Sequence, residues 1–159
     1  MSITIILTIR DETVTKLEVS ISPENYRGPG IPRDLLAFSP ERLVSQYGLP
    51  SNIGYGVFRI RDNVVVQRTW YGMVMKFEAV DLIVEYYSAE IFPVDSYQTC
   101  PLTDRFDSVH LWFGEDPEHP PFEGVPSEEA TSLTIEEFVN LVSQDPESAC
   151  FDLKVELFP

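Results

Sequence analysis

A two-residue alternation near the N-terminal end constrains this chain more than any other feature. In the stretch ITIILTIRDETVTKLEVSI, Ile3, Ile5, Leu7 and Ile9 fall on one face of an extended chain, and Leu17, Val19 and Ile21 again share one face. A period of two suits a sheet with one covered face and does not suit a helix. An odd-length loop around Asp11 and Glu12 is expected to place both sets on the same side of a hairpin.

Two segments carry the opposite grammar. In SPERLVSQYGLP (39–50), Ser39 is an N-cap, Pro40 takes the first helical position, Glu41 suits the first turn, and Gly48 offers the left-handed residue that ends a helix ahead of Pro50. Leu43, Val44 and Tyr47 form its apolar face. In TIEEFVNLVSQDP (134–146), Thr134 is the cap, Glu137 completes a capping box, Phe138, Leu141 and Val142 form the stripe, and Pro146 stops the helix. Each is followed by a strand-like run, YGVFRI after the first and CFDLKVELF after the second, so residues 39–61 and 134–158 read as two related helix-then-strand units. They are either a weak internal repeat or convergent capping.

Between them the chain is rich in strands. GVFRI-RDN-VVVQRTW fits a hairpin with a three-residue loop at 61–63, a register that sets Phe58 and Ile60 with Val64, Val66 and Trp70 and puts Arg68 on that apolar face. MVMKFEAVDLIVEYYS reads as a second hairpin, with Met73, Met75 and Phe77 alternating against Val74, Lys76 and Glu78, and Leu82, Val84 and Tyr86 on the return strand, and SVHLWFG is a further strand. SPENYRGPGIPRD is a Pro/Gly-rich loop, and residues 114–132, with four prolines and six acids, are expected to form a second, exposed one. The fold class is α+β: an antiparallel meander of about six or more strands with two short helices on one face.

At 159 residues the chain is long enough for a single domain over 1–159, burying roughly 70% of the surface of its unfolded form. Its 43% hydrophobic and 12% aromatic content is too high for a disordered chain, even at net charge −15. Residues 1–99 hold 12 acids and 9 bases, and residues 100–159 hold 14 acids and 2 bases. A field of that sign repels phosphate backbones and anionic membranes, and leaves a basic partner, divalent cations or plain solubility open. No apolar run reaches the length of a transmembrane span, and the first residues lack a basic n-region and a cleavage site. Peripheral tethering through a removed leader stays compatible with a strand signal that begins at Ile3. Cys100 and Cys150 have no neighbours at zinc-like spacing, so no metal site is expected; the pair suits either buried thiols or one disulfide.

No phosphate loop, dinucleotide fingerprint, nucleophile elbow, HExxH or calcium loop occurs, and the expectation is a protein that is not an enzyme and takes no cofactor. His110 shares a face with Trp112 on SVHLWFG and reads as a half-exposed sheet residue, and His119 sits among acids and prolines. Asp104 and Asp107 flank Arg105 in a turn with a local ion pair, a weak match to a hydrolytic carboxylate pair. The sharper candidate is a binding surface of Arg68, Trp70 and Tyr71 beside Arg59 and Arg61, the residue types that dominate interface hot spots. Against it stands a structural account, with Trp70 in the core and Arg68 passing it at a sheet edge.

The order of hairpin, Pro/Gly loop, helix ending in Tyr47-Gly48-Leu49-Pro50, strand meander, CPLTD with VHLW, and a late EEF with CFDL resembles uncharacterised bacterial domains carried by secreted lipoproteins. More distantly, the helix-then-antiparallel-sheet unit looks like the small outer-membrane assembly lipoproteins and the tandem-repeat β-lactamase inhibitor protein, an architectural analogy. The resemblance implies an extracytoplasmic binding or scaffold domain with a protein partner. With the lone pairing of the two cysteines, it leads us to expect a Cys100–Cys150 bridge. The alternative is a cytoplasmic acidic immunity- or antitoxin-like protein that blocks a basic enzyme by charge complementarity.

Overall fold

A computed structural model describes residues 2–22, 33–62, 65–88, 97–100, 108–114, 124–145 and 148–158. Among the described residues nine strands and three α-helices follow one another: β1 (Ser2–Arg10), β2 (Thr13–Ser22), α1 (Pro40–Tyr47), β3 (Asn52–Asp62), β4 (Val65–Phe77), β5 (Leu82–Ser88), β6 (Tyr97–Thr99), β7 (Ser108–Phe113), β8 (Val125–Pro126), α2 (Ser127–Ala130), α3 (Ile135–Gln144) and β9 (Phe151–Leu153). Seven strands form one antiparallel sheet in the order β1-β2-β7-β5-β4-β3-β8, and β6 pairs with β9 in a small second sheet. The fold is α+β with a large antiparallel sheet and short helices, as the alternation and the two capped segments imply.

Both long hairpins handle their extra residue differently from the expected odd loops. Arg10 pairs with Thr13 across a two-residue turn in which Asp11 and Glu12 are both left-handed (φ 50° and 63°), the twist-matched geometry of tight hairpins. The odd offset is absorbed by a bulge instead: Thr8 pairs with Lys16 and Ile9 with Val14, leaving Thr15 unopposed. Ile3, Ile5 and Leu7 thereby oppose Ile21, Val19 and Leu17 on one face, as expected. In β3–β4 the ladder runs to Asp62↔Val65, so two residues rather than three link the strands, and a register shift at Ile60/Arg61 takes up the difference. Phe58 pairs with Trp70 and Ile60 with Arg68, while Val66 pairs with Arg61. A ladder gains hydrogen bonds by extending to the tightest turn available, which is why the irregularity moves into the strands.

The second hairpin forms as expected, and its register sets Met73, Met75 and Phe77 opposite Tyr86, Val84 and Leu82. The later strand β7 inserts between β2 and β5, so the sheet is not a simple meander. The core lies on the face shared by Val109, Leu111, Leu82, Val84, Tyr86, Met73, Met75, Phe77, Ile53 and Tyr55. Both capped helices add to that one face: Leu43 and Val44 from α1, Phe138 and Val142 from α3. Ser39 accepts from the Arg42 amide, Gly48 ends α1 at φ 82°, and Thr134 with Glu137 forms the full capping box. Tyr47 packs its ring 5.8 Å from Phe77, and the Tyr86 hydroxyl donates to the Phe38 carbonyl at 2.6 Å.

Two expectations change. Residues 114–132 are not one exposed loop: β8 pairs with Gly54 and Tyr55 of β3, and α2 buries Ser127 and Ala130. The Ala130 carbonyl accepts from the Lys154 amide at 2.7 Å, tying this segment to the C-terminal end. Residues 115–123 lie outside the described set. The run CFDLKVELF is a strand over Phe151–Leu153, followed by a 3-10 turn at Val155–Leu157; Phe151 packs against Tyr55 and Phe138 at 5.7 and 6.0 Å, and Phe158 is buried. An apolar run therefore ends as a strand capped by a turn, because its last aromatic reaches the core by folding back.

Candidate functional site

The side chains of Arg59, Arg68, Trp70 and Tyr71, the sequence candidates for a binding surface, lie outside the described residues, as does that of Arg61. Their backbones are paired in the β3–β4 ladder, Arg59 with Thr69 and Tyr71 with Val57. His119, Asp104, Arg105 and Asp107 lie outside the described residues altogether. Cys100 and Cys150 are bridged, with Cα atoms 4.1 Å apart, next to the Thr99↔Phe151 pair that ends the small sheet. Among the described residues no group of three His, Cys, Asp or Glu side chains converges as a metal site, and no helix is long and apolar enough to cross a membrane.

The sheet face turned away from the helices is polar and aromatic in its centre. Three cross-strand rows build it: Glu18, Trp112 and Ile83; Ser20, His110 and Glu85; and Ser108 with Tyr87. Glu85 is buried on an interior strand, accepting from the Trp112 indole N–H at 3.3 Å and from the Tyr87 hydroxyl. Burial, then the charge of Glu85 and this hydrogen bond, hold the Tyr87 hydroxyl protonated far above its ordinary range. Lys16 is buried beside them, its ammonium 4.7 Å from the Trp112 ring centroid and 3.5 Å from Glu18 Oε2. His110 stands edge-on to Tyr87 at 5.4 Å, and burial lowers its pKa against the opposing pull of the Glu18 charge. The half-exposed sheet histidine expected from SVHLWFG is what the structure contains.

Ser20 Oγ lies 3.4 Å from His110 Nε2, within loose reach of a nucleophile–base pair. Glu85 opposes His110 in the register, but the contacts described for it go to Trp112 and Tyr87. Both β2 and β7 are interior strands whose amides are committed to ladders on two sides, where donors for an oxyanion would have to come from. The arrangement is a polar and aromatic network in which Lys16, Glu85 and Trp112 are buried and His110, Ser20 and Tyr87 half-buried. A shallow cleft of about 210 Å³ between Asn52, Ile53, Pro126, Ser127, Glu128 and Ile135 sits at the far edge of the sheet; beside it burial keeps the Tyr55 hydroxyl protonated, opposed by its hydrogen bond with Ser127.

The feature that sequence reasoning missed is the place of β1 at the exposed edge of the sheet. β1 is the terminal strand of the large sheet, paired with β2 on one side. Ile3, Ile5, Leu7 and Ile9, expected to share one face of the hairpin, do share it but are 51–62% exposed, and Ile6 on the opposite face is 47% exposed. The described helices cover the other end of the sheet, so the apolar alternation correctly marks a strand face but its residues on β1 stay exposed. Between Ser2 and Ile9 no residue is charged and none is proline, the two devices that normally blunt an open edge. A strand whose outer edge pairs with no other described strand and which carries five exposed aliphatics is a surface suited to another chain. Comparison with protein-family models, with curated proteins and with solved structures finds no match to this chain.

Proposed function

We propose that this chain is a non-enzymatic protein-binding domain that works outside the reducing cytosol, as part of a bacterial envelope or secreted protein, and that it engages its partner through β1. The observation that carries this reading is the exposed aliphatic row Ile3, Ile5, Leu7 and Ile9 on an uncharged sheet edge, in a chain that is otherwise strongly acidic. Strand addition to such an edge takes its affinity from main-chain hydrogen bonds and its selectivity from the alternating side chains. The Cys100–Cys150 bridge supports the oxidising compartment, since disulfides of this kind are rare in the cytosol.

A photo-crosslinking residue at Leu7, compared with one at the exposed Val80 between β4 and β5, tests the surface in the native host. A defined protein adduct from Leu7 and none from Val80 is the expected result. Equal, diffuse labelling from both positions would remove β1 as the binding surface.

A further inference from the structure

Resting on that reading of β1, we infer that the partner seated on it is a second copy of this chain, paired antiparallel about a two-fold axis through Ile6. The strand is a palindrome of side-chain type around that residue. With Ile6 opposite Ile6 of the second copy, Ile5 meets Leu7, Thr4 meets Thr8, Ile3 meets Ile9 and Ser2 meets Arg10. Every pair in the core of this register is aliphatic with aliphatic or threonine with threonine, the combinations that stabilise neighbouring strands. A two-fold interface must be self-complementary along its length, and a strand reading alike in both directions meets that condition.

The charge distribution points the same way. Two chains of net charge −15 repel, yet Ser2–Ile9 brings no ionised side chain into the contact, and the acidic residues 100–159 contribute β7–β9 and α2–α3, of which β7 pairs with β2 and none pairs with β1. Nine residues offer about 30 Å of edge, enough for an interface at the lower end of specific protein–protein contacts. A two-fold axis perpendicular to the sheet keeps the same face of both copies on one side. The two seven-stranded sheets would then continue as one, with Ile3, Ile5, Leu7 and Ile9 of both copies forming one aliphatic strip between the two helical layers.

Three cysteine variants of the full chain read out the register. Opposed side chains of an antiparallel pair are close enough to bridge, so Ile6→Cys alone should give a covalent dimer on mild oxidation. Thr4→Cys and Thr8→Cys should each stay uncrosslinked alone and crosslink when mixed. Ile5→Lys, at a position already exposed, should leave the thermal midpoint near that of the parent while shifting the sedimenting species from twice 18.1 kDa to a single chain. A parent protein that sediments as a single chain at all concentrations, with no Ile6→Cys dimer, overturns the inference. If Leu7 nevertheless crosslinks a different protein in the host, the binding role of β1 stands and only the second copy is excluded; if Leu7 also fails to crosslink, both fall.

Discussion

Lys16 lies with its ammonium 4.7 Å from the centre of the Trp112 ring, both side chains buried on the sheet face away from the helices. A buried cation over an indole is favoured by the ring quadrupole, and Glu18 at 3.5 Å supplies the compensating charge. Lys16→Met keeps the stem and removes the charge. We expect a loss of about 1–2 kcal/mol, measured by chemical denaturation, with a shift in Trp112 fluorescence. An unchanged stability and spectrum would show that the ammonium contributes nothing beyond packing.

His110 makes stability depend on pH in a definite direction. Its folded-state pKa lies below 6.5 because of burial, opposed by Glu18, so between pH 6.5 and the folded value the unfolded chain binds more protons than the folded one. The stabilisation is complete above pH 6.5, is lost as pH falls toward the folded value, and is constant below it. Ser20, Tyr87 and Glu85 surround the ring and stay in place in His110→Gln. The drop in denaturation midpoint between about pH 7.5 and pH 5 should therefore be smaller in His110→Gln than in the parent; an equal drop would assign the acid sensitivity to carboxylates.

Gly114 closes β7 at φ 95°, where its amide donates to the Asp81 carbonyl at 3.1 Å. A Cβ there would collide with the Thr15 carbonyl of the β2 bulge. Both the left-handed backbone and the backbone contact oppose a side chain, so Gly114→Ala should destabilise by about 2–4 kcal/mol. A near-neutral thermal shift would mean that the bulge yields.

The Cys100–Cys150 bridge closes a loop of sequence separation 50. Replacing both cysteines by serine should lower stability by about 4 kcal/mol in the chain-entropy account. Hydrogen exchange should rise first in β6 and β9, whose pairing is only Tyr97–Thr99 with Phe151–Leu153. Uniform exchange across the large sheet would instead show that the bridge secures the whole fold.

Local chemistry is what the residues state openly. Ser39 with Pro40 and Gly48, and Thr134 with Glu137, define α1 and α3 because a cap satisfies backbone groups within one turn and needs no distant partner. The period-two runs at 3–9, 17–21, 73–77 and 82–86 define strands for the same local reason. The two cysteines, being the sole pair, had one intramolecular bridge open to them, and it forms.

What the tertiary structure decided is where each face ends up. Alternation states that Ile3, Ile5, Leu7 and Ile9 share a side, but whether anything covers that side depends on strand order and on where α1 and α3 land. The insertion of β7 between β2 and β5, set by long-range pairing, moves β1 to the open edge and gathers Lys16, Glu85, His110 and Trp112 from three strands. Sequence by itself determined the two capped helices, the long strands and their apolar sides, because those follow from contacts a few residues apart, whereas the short elements β8 and α2 depend on packing against β3 and the core. The exposed edge and the buried polar network were decided by the assembled sheet, because they arise from contacts between residues as far apart as Lys16 and Trp112.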